Sequence, residues 1–331
     1  MTNTDDGKHK QAGFTLIELS IVLVIIGLLV GGIFVGRDLI TAASVRAQIS
    51  QIDKYQTAVK TFRLKYNDLP GDLANSEATQ LGFVAALQLD GFTYADRDNN
   101  GFIESICSMD QATYMYGESS MFWNDLGVAQ LIDGNFANDI DFDGAFDPLH
   151  PPPPPSLPPA QIGNGNYVYV WSGGYGLDQG PGIGGTGAVI DEADCGTPGI
   201  PHDGNNYFAV SQMPGGLSGN SYASGPGLSA NQAFAIDTKM DDGLPQSGKV
   251  LAMYPNATPD GILWATGDIT GWTSGPNIAA PTPVTPGSAI TCFDNSATRS
   301  GTPGVSGAVQ HYSTELNGGN AINCALSFTF Q

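Results

Sequence analysis

The stretch "KHKQAGFTLIELSIVLVIIGLLVGGIFVGRD", residues 8–38, contains a long apolar run. The run from Phe14 to Val35 has 22 residues and is apolar except at three positions, Thr15, Glu18 and Ser20. As an α-helix it extends about 33 Å, which is enough to cross a bilayer. A secretory signal has a shorter apolar core of about 7–15 residues. We therefore expect a membrane-spanning helix, and a plain signal anchor or a long signal cleaved near Ser44 are the alternatives.

Glu18 places a carboxylate inside this apolar run. An ionised side chain in the hydrocarbon costs about 3 kcal/mol, and such residues usually have a function. Neither a plain anchor nor a cleaved signal explains a carboxylate at this position. We therefore treat Glu18 as a candidate functional residue.

The residues around the start of the run resemble a known processing signal. A short basic segment, "KHK" at residues 8–10, is followed by Gly13 and then by Phe14, from which Glu18 is the fifth residue. The segment "GFTLIEL" resembles the prepilin signal of type IV pilins and type II secretion pseudopilins. The resemblance implies that a prepilin peptidase cuts between Gly13 and Phe14 and methylates the new amino terminus. The leader departs from the pattern because Asp5 and Asp6 offset its two lysines, which weakens the positive-inside signal.

The resemblance also implies partners and a location. The partner of Glu18 would be the cationic amine of Phe14 on a neighbouring subunit, and this pairing would select assembled subunits and set their stagger. Other partners would be pilin or pseudopilin subunits and an inner-membrane assembly platform with a cytoplasmic ATPase. The protein would cross the inner membrane once and carry a periplasmic or extracellular head. After assembly it would belong to a cell-surface or periplasmic filament.

A helical pattern continues after the apolar run. Apolar residues recur at helical intervals from Val45 to Tyr66, with basic residues between them. The segment "KYNDLPGD", residues 65–72, ends this pattern because Pro70 disfavours a helical conformation at the residue before it. We predict that the helix closes at about Asn67. The phrase "FRLKYNDLPGD" also resembles the helix exit of pseudopilin-like proteins.

The remaining chain predicts an α+β, pilin-like fold, in which the long helix packs on a loop-rich antiparallel β head. The 44 Gly and 22 Pro residues favour many turns. One further helix is predicted in residues 119–134, "SSMFWNDLGVAQLIDG", where Ser119 or Ser120 would cap its start. Short strands are predicted in five segments: "NYVYVWS", "NYFAVSQ", "QAFAID", "GKVLAMY" and "CALSFTF".

Composition divides the chain into six predicted regions. They are a leader (1–13), a membrane and assembly helix (14–35), an amphipathic helix (36–67), a first part of the head (68–147), a proline-rich spacer (148–160) and a glycine-rich β part (161–331). The spacer, "PLHPPPPPSLPPA", favours an extended polyproline II conformation. A ligand for an aromatic groove is the alternative interpretation of this segment.

Charge and cysteine content agree with an exported protein. The formal net charge of -20 disfavours general nucleic-acid binding. The four cysteines lie beyond the apolar run and predict two disulfides, for which three pairings exist. We favour Cys292 with Cys324 and Cys107 with Cys195; free thiols are the alternative. No CxxC spacing supports a zinc site.

Two acidic segments are candidate calcium loops. The segment "DRDNNGFIE" offers Asp96, Asp98, Asn100 and Glu104 around Gly101, and "DIDFDGAFD" offers Asp139, Asp141, Asp143 and Asp147 around Gly144. Alternating oxygen ligands around a glycine turn suit Ca²⁺. Neither is a standard EF-hand, because the twelfth positions hold Cys107 and His150. A third and less regular acidic group is Asp237 with Asp241 and Asp242. Solvated acidic turns are the alternative for all three.

No catalytic motif accompanies these features, and we expect no enzymatic activity. Three histidines beyond the leader are scattered, and no G-x-S-x-G or H-E-x-x-H pattern is present. Two structural functions remain. The chain is either a repeating pilus or pseudopilus subunit or a minor tip pilin that acts as an adhesin or substrate-binding module. The size of the head favours a minor component.

Overall fold

Helix α1, Leu16–Tyr66, is the longest element of the chain. The computed structural model describes residues 16–85, 88–89, 92–93, 97, 99–103, 118–136, 157–172, 205–212, 226–245, 247–253, 292–294, 311–314, 316–320 and 322–331. Two compact units are present, Met1–Ala43 and Ser44–Gln331. The fold is α+β, with a long amino-terminal helix and an antiparallel sheet, as predicted from the sequence.

The end of α1 follows from its sequence. Asn67 adopts a left-handed conformation, φ 63°, and donates its N–H to the carbonyl of Arg63 (2.8 Å). Asparagine tolerates this conformation, which commonly terminates helices. The predicted closure at about Asn67 is therefore confirmed. In the second unit, one stripe of α1 enters the core, and Ile52 and Phe62 have no exposed surface.

The sheet of the second unit is built around its last strand. Strand β9, Ile322–Thr329, pairs antiparallel with three others: β4 (Asn206–Gln212), β5 (Leu228–Ser229) and β6 (Val250–Met253). Strand β3, Asn166–Ser172, pairs with β4 along its whole length. Four of the five predicted strand segments correspond to β3, β4, β6 and β9.

The fifth predicted strand, "QAFAID", is wrong, because these residues lie in helix α4, Ala230–Met240. Ser229 caps the helix by accepting from the N–H of Gln232, while the side chain of Gln232 accepts from the N–H of Ser229. Such a capping box satisfies amide donors that have no partner within the helix. Ala233 and Ile236 are buried on one helical face. Their spacing of three belongs to a helix, whereas a strand would alternate with a period of two.

Helix α3, Glu118–Val128, lies within the head and begins one residue before the predicted helix. Ser119 and Ser120 therefore lie inside α3 and do not precede it as caps. The helix ends earlier than predicted, and Gln130 adopts φ 59° just after it. The remaining elements are short: α2 (Asn75–Leu81), β1 (Gln88–Leu89), β2 (Phe92–Thr93), β7 (Phe293–Asp294), β8 (His311–Tyr312) and a 3-10 turn (Leu316–Gly319).

The last residues of the predicted proline-rich spacer lie against the sheet and α1. The carbonyl of Pro158 accepts from Val168 of β3 (2.9 Å), and the carbonyl of Pro159 accepts from the amide of Gln51 (2.9 Å). Gln48 accepts from the N–H of Ile162 (3.0 Å). Two glutamines of α1 thus fix the chain where it enters β3. Residues 148–156 lie outside the described part of the chain.

A buried ion pair joins Asp125 of α3 to Arg97, and both residues also bond to Gly71 in the turn after α1. Both terminal nitrogens of Arg97 donate to the Asp125 carboxylate at 2.8 Å, and neither side chain is exposed. Asp125 also accepts from the N–H of Gly71 (2.8 Å). Burial raises the pKa of Asp125, and the bonds from Arg97 oppose that shift. Gly71 has φ 89°, and a Cβ there would lie 2.5 Å from the carbonyl oxygen of Glu118.

We expect Asp125→Ala to destabilise the second unit by about 3–5 kcal/mol, because it leaves the charge of Arg97 buried without its partner. The measurement is urea unfolding of a fragment comprising residues 44–331. Asp133→Ala is the matched control, since it removes the carboxylate of the exposed Lys54–Asp133 pair and should change stability little. Equal losses in the two variants would contradict the importance of the buried pair.

Candidate functional site

Glu18 lies in the first turn of α1 on a helix whose surface is apolar and exposed. The neighbouring Ile17 and Leu19 are 67% and 58% exposed. The exposure continues along the helix, and Phe34 is 63% exposed. A helix that is apolar on all sides requires lipid or other helices around it. Gly13 and Phe14 lie outside the described residues, so their predicted roles stay predictions.

The described residues contain one helix, α1, that is long and apolar enough to cross a membrane. Its membrane-length part lies near the amino terminus and none of it is covered by the chain. Glu18 therefore lies at a position where a second helix packed against α1 could reach its carboxylate. The geometry of this exposed apolar segment therefore suits contact with lipid or with other helices.

The first candidate calcium loop is described only in part. The side-chain oxygen of Asn100 accepts from the N–H of Phe102 (2.7 Å), and Gly101 adopts φ 90°. Asp72, which is fully buried, accepts from the N–H groups of Asn100 (3.1 Å) and Gly101 (2.8 Å). Sequence reasoning did not include Asp72, whose only local signal was its place in the "LPGD" turn. The other candidate ligands lie outside the described residues: Asp96, Asp98, Glu104, Asp139, Asp141, Asp143 and Asp147.

The third acidic group is brought together by the fold. Carboxylate oxygens of Asp237, Asp241 and Asp242 lie within 4.8 Å of one another at the end of α4. Asp241 accepts from the N–H groups of Lys249 and Val250, and Asp242 accepts from the hydroxyl of Ser247 (2.6 Å). These two carboxylates therefore organise the turn that leads from α4 to β6.

Asp237 is the buried member of this group. Its carboxylate accepts from the hydroxyl of Tyr312 (2.8 Å) and from the N–H of Gly243 (3.1 Å), so it connects α4 with β8. Burial raises the pKa of Asp237 to about 7, and the charges of Asp242 and Asp241 add to this shift, whereas the hydrogen bonds oppose it. Burial also raises the pKa of Tyr312, and the adjacent carboxylate reinforces that change.

A disulfide joins Cys292 and Cys324, with an S–S distance of 2.03 Å. This is the pairing favoured from the sequence, and both residues are buried. The bond attaches the residue before β7 to the central strand β9. Cys107 and Cys195 lie outside the described residues, and so do His150 and His202.

Residues 8–34 match the family described as the prokaryotic N-terminal methylation motif, which is the signal of type IV pilins and pseudopilins. The matched segment contains Gly13, Phe14 and Glu18, and it confirms the resemblance seen in the sequence. No curated protein and no solved structure matches the chain. The motif belongs to structural proteins, and together with the apolar helix it indicates membrane anchoring near the amino terminus.

We expect the stability of the second unit to fall as pH rises from about 4 to about 7, in part because of Asp237. The folded state keeps a proton, with a pKa of about 7, that the unfolded carboxyl has lost above its ordinary value of 3.8. Ionisation therefore favours unfolding in this window. Asp237→Asn keeps the side chain neutral and should reduce the decline, measured as the urea midpoint against pH.

The control for this experiment is Asp133→Asn, because Lys54 lowers the pKa of the exposed Asp133 by a hydrogen bond. The stability of this variant should still fall between about pH 4 and about pH 7, as it does in the wild-type protein. If the urea midpoint of Asp237→Asn fell with pH as steeply as that of the wild-type protein, Asp237 would not be the source of the pH dependence.

Proposed function

We propose that the chain is a pilin-like subunit of a type IV pilus or type II secretion pseudopilus. Prepilin peptidase would cut it between Gly13 and Phe14, and it would assemble through α1. The observation that carries this proposal is the methylation motif at residues 8–34, in which Glu18 lies on an exposed apolar helix. A structural role accounts for both the motif and the exposed apolar helix.

The mechanism follows from the two surroundings that α1 can have. Bilayer lipid would cover the apolar side chains before assembly, and neighbouring helices would cover them in a filament. Because both environments are apolar, the hydrophobic contribution changes little between them. The new interaction would be the pairing of Glu18 with the amine of Phe14 on the next subunit, which would neutralise a costly charge.

Assembly also needs an external source of work. Burial of apolar surface is favourable by about 25 cal/mol per Å², so the passage of a membrane-length helix out of lipid meets a large barrier before neighbouring helices cover it again. The proposed source is a cytoplasmic ATPase that acts with an inner-membrane platform. The subunit would cross the inner membrane once, with the second unit in the periplasm, until it enters the filament.

A second candidate is a minor pilin at the filament tip that acts as an adhesin or a substrate-binding module. The observation that favours it is the size of the region after α1, residues 67–331, which exceeds what a repeating subunit needs. Labelled protein would mark the whole filament if the chain is a major subunit. A label confined to one end would favour the tip module.

We also propose that Ca²⁺ stabilises the second unit through the acidic loops. The support is the alternation of oxygen-bearing residues in both loops and the glycine turn at Gly101. Asp72 holds the backbone of that turn, which would limit the rearrangement needed for binding. Calcium would then be a structural ion without a catalytic role.

Glu18→Leu should enter the membrane at least as well as wild type but assemble poorly. The substitution removes the insertion cost of the charge and deletes the proposed partner of the Phe14 amine. The measurement compares membrane fractions with sheared filaments from the same cells.

Amino-terminal mass analysis should give a mature start at Phe14. A mature start near Ser44, or undiminished incorporation of the leucine variant, would refute the proposal.

Calcium at about ten times its dissociation constant should stabilise the second unit by about 1.4 kcal/mol, because the ion binds only the folded state. The expected dissociation constant is about 10⁻⁴ to 10⁻³ M, typical of extracellular sites. Calorimetry with calcium and with chelator measures the effect. The double variant Asp96→Ala/Asp98→Ala should reduce it, whereas Asp133→Ala should not. Identical wild-type melting curves would remove calcium from the mechanism.

A further inference from the structure

Charge is distributed unevenly between α1 and the rest of the second unit. Residues 44–66 carry five basic side chains and one acidic side chain, whereas residues 67–331 carry 27 acidic and four basic ones. The whole chain has a formal net charge of -20. The carboxyl-terminal part of α1 is therefore a basic segment in an otherwise acidic unit.

The basic side chains lie on the exposed side of α1. We call this surface the basic face, and it consists of Arg46, Lys54, Lys60, Arg63 and Lys65, all of them exposed. The opposite side of the helix is buried in the core. Leu64 lies within the basic face and is 90% exposed. A shallow groove of about 380 Å³ lies on the same side, and its lining includes Asp53, Thr57 and Leu131. Asp53 is exposed and is the one acidic residue among residues 44–66.

Lys54 illustrates the chemistry that this surface favours. Its ammonium group contacts the carboxylate of Asp133 at 2.6 Å, and half of its side chain (51%) remains exposed. The acidic surface of the same unit can therefore pair with this part of α1. The remaining basic groups and Leu64 are presented outward, where a separate acidic surface can reach them.

We propose that the basic face docks on the acidic head of a second copy of this chain. The inference rests on the proposed function, because assembly brings subunits of high negative charge within about 10 Å, where salt screens only part of their repulsion. Contact between the basic face and a neighbouring head replaces that repulsion with attraction and fixes the register of the two copies. The same contact covers Leu64.

The end of α4 supplies one acidic surface of the required kind. Asp242 is exposed and Asp241 is half-buried, and their carboxylates lie together in the group that includes Asp237. Asp241 accepts from the N–H groups of Lys249 and Val250, and Asp242 accepts from the hydroxyl of Ser247, so both carboxylates are held in place at this surface.

The test compares two double variants that change the net charge equally. Lys60→Glu/Arg63→Glu reverses two charges on the basic face, and Lys239→Glu/Lys249→Glu reverses two exposed lysines near α4 and β6. Full-length proteins are produced in cells that form filaments, and the fraction of each in sheared filaments is measured. The control lysines lie beside the acidic surface at the end of α4, so their reversal leaves the basic face intact and makes that acidic surface more negative. The basic-face variant should therefore be at least about threefold less incorporated than its control, although both variants carry the same net charge.

A folding defect is separated from a docking defect with neutral substitutions. Lys60→Gln/Arg63→Gln should also be incorporated less than Lys239→Gln/Lys249→Gln, while all variants keep the wild-type melting temperature. The proposal would be overturned if the basic-face variant and its control entered filaments equally well, both for the Glu substitutions and for the Gln substitutions.

Two further outcomes identify what has failed. If the basic-face variants lose binding to vesicles of about 30% anionic lipid while their incorporation is normal, the partner is a membrane surface and the proposal is overturned. If wild type itself is absent from filaments, the proposed function fails and this docking fails with it. Normal wild-type assembly with unaffected variants refutes the docking alone.

Discussion

The apolar surface of α1 between Leu16 and Ile40 is the constraint on which the rest of the molecule depends. Leu16 and Ile40 are 88% and 71% exposed, and the chain itself covers none of the membrane-length segment. Apolar surface in water is unfavourable by about 25 cal/mol per Å². This segment therefore needs lipid or other helices at every stage, and a charge within it, at Glu18, is tolerated only with a partner.

The second unit has a different requirement. It must hold many turns and short strands in one arrangement, and these have few stabilising contacts between neighbouring residues. Its hydrophobic core is supplemented by buried polar contacts that connect distant parts of the chain. Arg97 and Asp125 join the turn after α1 to α3, and Asp237 joins α4 to β8. Each contact leaves a costly buried group when one partner is removed, so it specifies one arrangement of the connected elements.

Charge links the second unit to the proposed assembly. In the proposed assembly an acidic surface would keep single copies apart, whereas α1 carries the basic groups that would oppose this repulsion. The same helix thus presents an apolar surface in its first part and a cationic surface in its last part. Lipid or neighbouring helices suit the former, and carboxylates suit the latter.

The sequence by itself determined the features that depend on local pattern. The methylation motif, the end of α1 near Asn67 and the strands β3, β4, β6 and β9 follow from neighbouring residues, because periodicity and turn chemistry act over a few positions. Only the tertiary structure decided the pairing of Arg97 with Asp125, the role of Asp72 and the raised pKa of Asp237. Helix α4 depends on both kinds of information. The segment "QAFAID" is short enough to form either a strand or a helix, and the cap at Ser229 together with the burial of one helical face selects the helix. Burial and partners far along the chain set these properties, and a linear pattern contains neither.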